Sequence, residues 1–313
     1  MMTVLHIVVP VFAVIAIGYG LARTPLISPQ GIKGLSNFVF FVSVPALLFR
    51  TLAKVEPHAA ADFALIQSYF LVVVVLFGAT MVLGRLVFRL ALEEQGLMAM
   101  GATFSNTVML GIPLIYAAFG DEGLLLMMLI VSFHSVILIP LTTTVVELGR
   151  GAGGHPLQVL GSTLLALLQN PVIVSIAGGL LWAETGWPIP AIIDRILAIL
   201  AAAALPATLF VLGATLTSFR LKGDAVQSAV LVALKMVVHP ALAWLAAVHL
   251  FALDPLPTAV AVMVAALPTG INVFILAERY GRYVERTATV VLVSTALAVL
   301  SQAVLVAAFA PSP

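Results

Sequence analysis

Ten apolar stretches, joined by short connections, run the length of this chain and leave it few ways to fold. They cover about 4–22, 35–53, 64–87, 97–119 and 123–148, then 165–183, 191–218, 225–251, 257–280 and 287–310. About 20 helical residues at 1.5 Å each reach across the hydrocarbon core of a bilayer, so each stretch is long enough to span it. With 62% hydrophobic and 9% charged residues, the composition is that of a polytopic membrane protein, and the connections leave no room for a soluble domain. The first stretch has no positively charged segment before it and no small-residue cleavage site after it. It therefore reads as a retained helix rather than a signal peptide.

The 14 Lys and Arg residues suggest an orientation. Arg23, Lys33, Arg85, Arg89, Arg150, Arg220, Lys222, Arg279, Arg282 and Arg286 follow odd-numbered stretches, whereas only Arg50, Lys54 and Arg195 lie on the opposite side. Positive residues favour the cytoplasm, which predicts both termini outside.

A constant offset of 161 residues relates the halves of the chain. Pro10-Val11, Ile15-Ala16 and Gly18 match Pro171-Val172, Ile176-Ala177 and Gly179. Pro45-Ala46-x-Leu48-Phe49 matches Pro206-Ala207-x-Leu209-Phe210, and Phe119-Gly120 matches Tyr280-Gly281. Five stretches per half, an odd number, would make the second half enter from the opposite face. The expectation is an all-α protein of ten transmembrane helices in two inverted five-helix repeats, residues 1–150 and 151–313.

Two repeat-related stretches carry residues that interrupt helices. The fourth contains Asn106-Thr107-Val-Met-Leu-Gly111-Ile-Pro113, and the ninth contains Pro268-Thr-Gly270-Ile-Asn272. Proline removes a backbone donor and crowds the preceding turn, while glycine lets the chain bend. Irregular backbone at that depth is tolerated only against protein or a water-lined cavity. Helix N-termini exposed there present N–H groups and partial positive charge, which suit an anion. The plainer alternative is a pair of packing kinks glued by interhelical hydrogen bonds.

Two further positions are candidates. Lys235 lies deep in the eighth stretch, with His239 one turn away on the same face. It either attracts a carboxylate or takes the place of a coupling cation, unless it is a structural lysine bonded to broken-helix carbonyls. His134, central in the fifth stretch, either contacts substrate or carries a proton, or is a packed neutral ring. All 13 Asp and Glu residues map to loops or helix ends, which disfavours cation transport as the primary task.

The strings NTVMLGIPLIYAAFG and LPTGINVFILAERYG resemble the two interrupted helices of the auxin efflux carrier family. That family includes the plant PIN proteins and bacterial carriers of malonate and related acids. Val44-Pro-Ala-Leu-Leu-Phe49 and Asn170-Pro171 fit it too, so the resemblance spans the chain. It implies an NhaA-like fold shared with bile-acid symporters, in which broken helices 4 and 9 cross near Pro113 and Pro268. It also implies a substrate-contacting role for Asn106, and a homodimer through the scaffold helices 1, 2, 6 and 7, across which helices 3–5 and 8–10 move. The chain lacks the long hydrophilic loop of the plant members. It has Asn272-Val273 where they carry a second proline, so their indole-acid specificity is not carried over.

The resulting expectation is a secondary transporter of a small organic anion, a mono- or dicarboxylate, in a bacterial inner membrane. The expected substrate contacts are Asn106, Thr107, Gly111, Pro113, Pro268, Gly270, Asn272 and His134, with Lys235 and His239 for coupling or charge compensation. No cysteine, no His-Glu-x-x-His and no Gly-x-Ser-x-Gly string occurs, so neither an enzyme nor a metal centre is expected. No cofactor or nucleic-acid partner is expected, and a coupling Na⁺ or H⁺ is left open. The alternatives are a Na⁺-coupled carrier like the bile-acid symporters, or a channel or sensor that does not transport.

Overall fold

The computed structural model describes residues 2–54, 63–151 and 169–309. These residues are helical almost throughout. In chain order the helices are α1 (Met2–Leu21), α2 (Pro29–Leu52), α3 (Phe63–Leu86), α4 (Leu92–Thr103), α5 (Thr107–Gly149) and α6 (Pro171–Glu184). Then come α7 (Ala191–Leu216), α8 (Ala225–Leu250), α9 (Pro255–Ala265), α10 (Ile271–Tyr280) and α11 (Val284–Phe309).

Three prolines shape their helices in the same way. Wide π-helical turns at Val39–Ser43, Thr107–Gly111 and Leu234–Val238 end two residues before Pro45, Pro113 and Pro240. In each case the residue just before the proline donates its N–H five residues back: Val44 to Val39, Ile112 to Thr107, His239 to Leu234. A proline ring would collide with the carbonyl four residues earlier, and widening the turn relieves that clash without ending the helix.

Glycines bring helix backbones together. A Cβ on Gly18 of α1 would sit 2.2 Å from the carbonyl oxygen of Phe210 in α7, and one on Gly213 of α7 would sit 1.9 Å from that of Ile15. Neither position can hold a side chain while α1 and α7 keep this approach. Gly179 of α6 also lies close to α2, where an added Cβ would meet Leu52 at 2.9 Å and the Phe49 carbonyl oxygen at 3.0 Å. Lipid tails compete with apolar side chains, so close contact at small residues is what holds such helices together. Helices α3, α4 and α5 pack in succession, and α8 packs on both α9 and α11.

The expectation of ten membrane helices in two inverted five-helix repeats, with an NhaA-like fold, is overturned. Among the described residues, six helices are long and apolar enough to cross a membrane: α2, α3, α5, α7, α8 and α11. Stretches 97–119 and 123–148 do not form two separate spans. Helix α5 continues for 43 residues through the point where they were divided, changing direction at the single non-helical residue Gly120 (φ 63, ψ −149). The other part of the fourth stretch lies in α4, only 12 residues long. The ninth stretch divides into α9 of 11 residues and α10 of 10. At 1.5 Å per residue such pieces reach about 15–18 Å, roughly half the hydrocarbon thickness. Helix α6 has 14 residues, and the start of its stretch, 165–168, lies outside the described residues.

Candidate functional site

The two sequence interruptions meet. Helix α4 stops at Thr103, whose hydroxyl donates to the Ala99 carbonyl at 2.8 Å, and the chain runs on through extended Phe104 (φ −80, ψ 105). Helix α9 stops before Pro268, which cannot donate to a continuing helix. The two short linkers then lie antiparallel. The Asn106 N–H donates to the Pro268 carbonyl at 2.8 Å, and the Gly270 N–H donates to the Phe104 carbonyl at 2.9 Å, with Ser105 opposite Thr269. Thr269 is buried and donates from its hydroxyl to Gly101 of α4 at 2.8 Å, while its N–H reaches Ser294 of α11 at 3.1 Å. The backbone groups freed by one interruption are thus satisfied by the other, as burial in an apolar core demands. Gly270 is required here. A Cβ would lie 2.8 Å from the Phe104 ring and 3.2 Å from the Ser105 carbonyl oxygen.

Lys235 anchors this crossing from α8. It is fully buried, and its Nζ lies 2.8 Å from Ser105 Oγ, 2.5 Å from the Ala265 carbonyl oxygen and 3.2 Å from His239 Nδ1. With the His239 ring proton on Nε2, three acceptors surround Nζ and match the three donors of an ammonium. His134 Nε2 accepts the Ser105 N–H at 3.0 Å, so a neutral ring carries its proton on Nδ1, which has no partner among the described residues. The hydroxyl of buried Tyr69 stands 3.4 Å from Ser105 Oγ. One serine therefore gathers Lys235, His134 and Tyr69 into a single buried cluster.

A cavity of about 370 Å³ opens against the same crossing. Of the expected site residues, Asn106, Thr107, Gly270 and Asn272 line it. Asn106 is 6% exposed, and its amide Nδ2 has no hydrogen-bond partner among the described residues. The helices starting at Thr107 and Ile271 both begin on the wall, where first-turn N–H groups lack intrahelical acceptors. The remaining expected residues lie elsewhere. Lys235, His239 and His134 belong to the buried cluster, which touches the cavity through Ser105. Pro268 supplies a carbonyl to the bridge, and Pro113 shapes the start of α5. Gly111 gives room to Met127 and Leu267, whose atoms would lie 2.4 and 2.7 Å from an added Cβ.

Sequence reasoning missed the centre and much of the wall of this site. Ser105, the shared residue, sits beside Asn106 in the interruption and was discoverable as its polar neighbour. Phe40 of α2, Thr215 of α7, Phe219 just beyond α7 and Phe274 of α10 left no local signal. Phe219 and Phe274 meet edge to face at 4.8 Å. No charged side chain lines the cavity among the described residues.

Comparison with known proteins fits a carrier of solutes. The chain is 28% identical over 295 residues to a putative malonate transporter of Rhizobium meliloti (strain 1021), covering 94% of this chain and 92% of that protein. It is 26% identical to auxin efflux carrier component 8 of Arabidopsis thaliana, covering 90% of each. An uncharacterized transporter of Methanothermobacter thermautotrophicus is 24% identical over 94% of each chain. The family described as membrane transport protein matches residues 3–306, and the chain, a multi-pass membrane protein, belongs to that family together with the auxin efflux carriers.

Proposed function

We propose that this protein is a secondary transporter of a small organic anion, and that the cavity at the crossing receives the substrate carboxylate. The observation that carries this reading is Asn106, on the wall of a cavity flanked by two helix starts, whose buried amide Nδ2 has no partner among the described residues. The amide and the free N–H groups would replace the carboxylate's hydration shell. Transport proceeds by alternating access with an elevator-type movement of α3–α5 and α8–α11 across α1, α2, α6 and α7. The latter set also carries a homodimer contact, where Ile192, Ile196 and Ile199 of α7 stand exposed.

Among organic anions, the lining favours a monocarboxylate with an apolar body. Phe40, Phe219, Phe274 and Ile271 supply apolar wall, whereas a second carboxylate would meet no basic side chain there. A dicarboxylate is the second reading, favoured by the name of the Rhizobium relative.

The test is counterflow of labelled carboxylates in proteoliposomes, with and without Na⁺ and across pH. The wild type should show trans-stimulated uptake, and Asn106→Ala should abolish it while leaving expression intact. Flux without counterflow would indicate a channel, and saturable binding without flux a sensor. Normal transport by Asn106→Ala would sink the site assignment.

A further inference from the structure

A second hollow, of about 640 Å³, shares no residue with the cavity at the crossing. It lies between α8 and α11 and is capped by the connection after α7. Its floor is apolar, with Val232 and Met236 of α8 facing Val293 and Leu297 of α11. Small residues make the hollow: Ala225, Ala229 and Ala233 recur every four residues along one face of α8. Leu221, Val237 and Leu297 are exposed around it, so in a membrane-spanning chain the hollow opens toward lipid.

Two polar features set this hollow apart from a simple gap between helices. Ser228 is only 4% exposed and lines the hollow, yet its Oγ has no partner among the described residues. Lys222 stands at the end nearest the connection, and its backbone is clamped to α11. Its N–H donates to Thr289 Oγ1 at 2.9 Å, and the Thr289 hydroxyl donates to its carbonyl at 2.6 Å. No carboxylate lies within 4 Å of the Lys222 ammonium among the described residues. Of the acids nearby, Asp224 caps α8 by accepting the Gln227 N–H at 2.8 Å, and Glu285 lies in the first turn of α11. Arg286 adds a second cation beside Gly223.

We propose that this hollow binds one anionic phospholipid, its phosphate at Lys222, an ester carbonyl at the Ser228 hydroxyl and an acyl chain along Val232, Met236 and Leu297. The depths agree with that molecule. Ser228 lies one helical turn inside the cap of α8, about 6 Å along the axis, and Met236 about two turns deeper. A phosphate, then a hydrogen-bond acceptor, then hydrocarbon is the order that a phospholipid presents. The Ser228 donor, unmatched otherwise, gains its partner.

Native mass spectrometry of the detergent-purified protein, titrated with phosphatidylglycerol or phosphatidylethanolamine, tests this. One phosphatidylglycerol should be retained about fivefold more tightly than phosphatidylethanolamine, and Lys222→Gln should remove that preference, as expected for one juxtamembrane basic residue. Ala229→Trp, which fills the hollow, should reduce retention of both lipids. Equal retention of the two lipids by the wild type, or an unchanged preference in Lys222→Gln, would overturn the proposal. So would full competition by inorganic phosphate, which would show an ionic site with no lipid specificity.

Discussion

Neutralising Lys235 tests whether the buried ammonium acts on substrate across the crossing. Its Nζ is 2.8 Å from Ser105 Oγ, and Ser105 also lines the cavity. A substrate carboxylate beyond that serine would therefore lie about 6 Å from the ammonium, adding one further hydrogen-bond length. With an effective dielectric of about 20, opposite unit charges at that separation attract by about 3 kcal/mol. Lys235→Gln removes that attraction while its amide can still donate to Ala265 and Ser105. Carboxylate affinity should then fall roughly a hundredfold. One acceptor of the three is left unmatched, costing about 1–3 kcal/mol of stability and a melting shift of several degrees. Scintillation proximity binding on purified protein, with a melting curve for each variant, separates the two effects. A neutral amide analogue of the same ligand should lose no affinity in Lys235→Gln. If carboxylate affinity changes by less than about threefold in a folded variant, the electrostatic reasoning fails and Lys235 is a structural clamp.

Three other substitutions probe separate parts of the structure. Gly270→Ala places a Cβ 2.8 Å from the Phe104 ring, so the bridge must open; a loss of about 1–3 kcal/mol in thermal stability and a drop in binding are expected. Gly213→Ala puts a Cβ 1.9 Å from the Ile15 carbonyl oxygen, where no rotamer gives relief. It should cost more than about 3 kcal/mol and abolish the monodisperse peak in fluorescence-detected size exclusion. Phe219→Ala removes one partner of an aromatic pair on the cavity wall. Competition in counterflow should then show weaker binding of small monocarboxylates, by about tenfold, and better acceptance of bulkier ones.

What the sequence made legible was local. A proline or an amide inside an apolar stretch changes the backbone within one turn, so the breaks at Asn106 and Pro268 could be located from the residues alone. The same holds for Lys235 and His239, whose spacing of four residues puts them on one helical face. The number of spans was not legible. Phe119-Gly120-Asp121-Glu122 reads as a connection, yet the turn is absorbed by Gly120 alone at φ 63, and helix resumes at once on either side. Nor could the sequence separate the cavity from the cluster behind it. His134 and Asn106 both looked like substrate contacts, and only the packing shows the imidazole bonded to the Ser105 N–H while the amide is left free. Spacing within one helix says nothing about which atoms another helix brings.

The arrangement at the crossing bears on how a carrier of this kind could move. Lys235, on α8, bonds Ser105 in the link between α4 and α5 and the last carbonyl of α9. Thr269 ties the second link to α4 through Gly101 and to α11 through Ser294. With the two backbone bonds of the bridge, these contacts join α4, α5, α8, α9, α10 and α11 through groups that have no water to fall back on. Separating any of them would strand a buried donor or acceptor, at about 1–3 kcal/mol each and more for the ammonium. The cavity also touches Ser36, Phe40, Thr215, Ser218 and Phe219, on or just beyond α2 and α7. These contribute apolar surface and hydroxyls, two of which already donate within their own chain segment, Thr215 to Val211 and Ser218 to Thr215. No hydrogen bond among those described crosses the cavity from these residues to the crossing. In the proposed elevator, the boundary between moving and fixed parts therefore falls along the cavity wall, where sliding breaks van der Waals contacts but no polar bond.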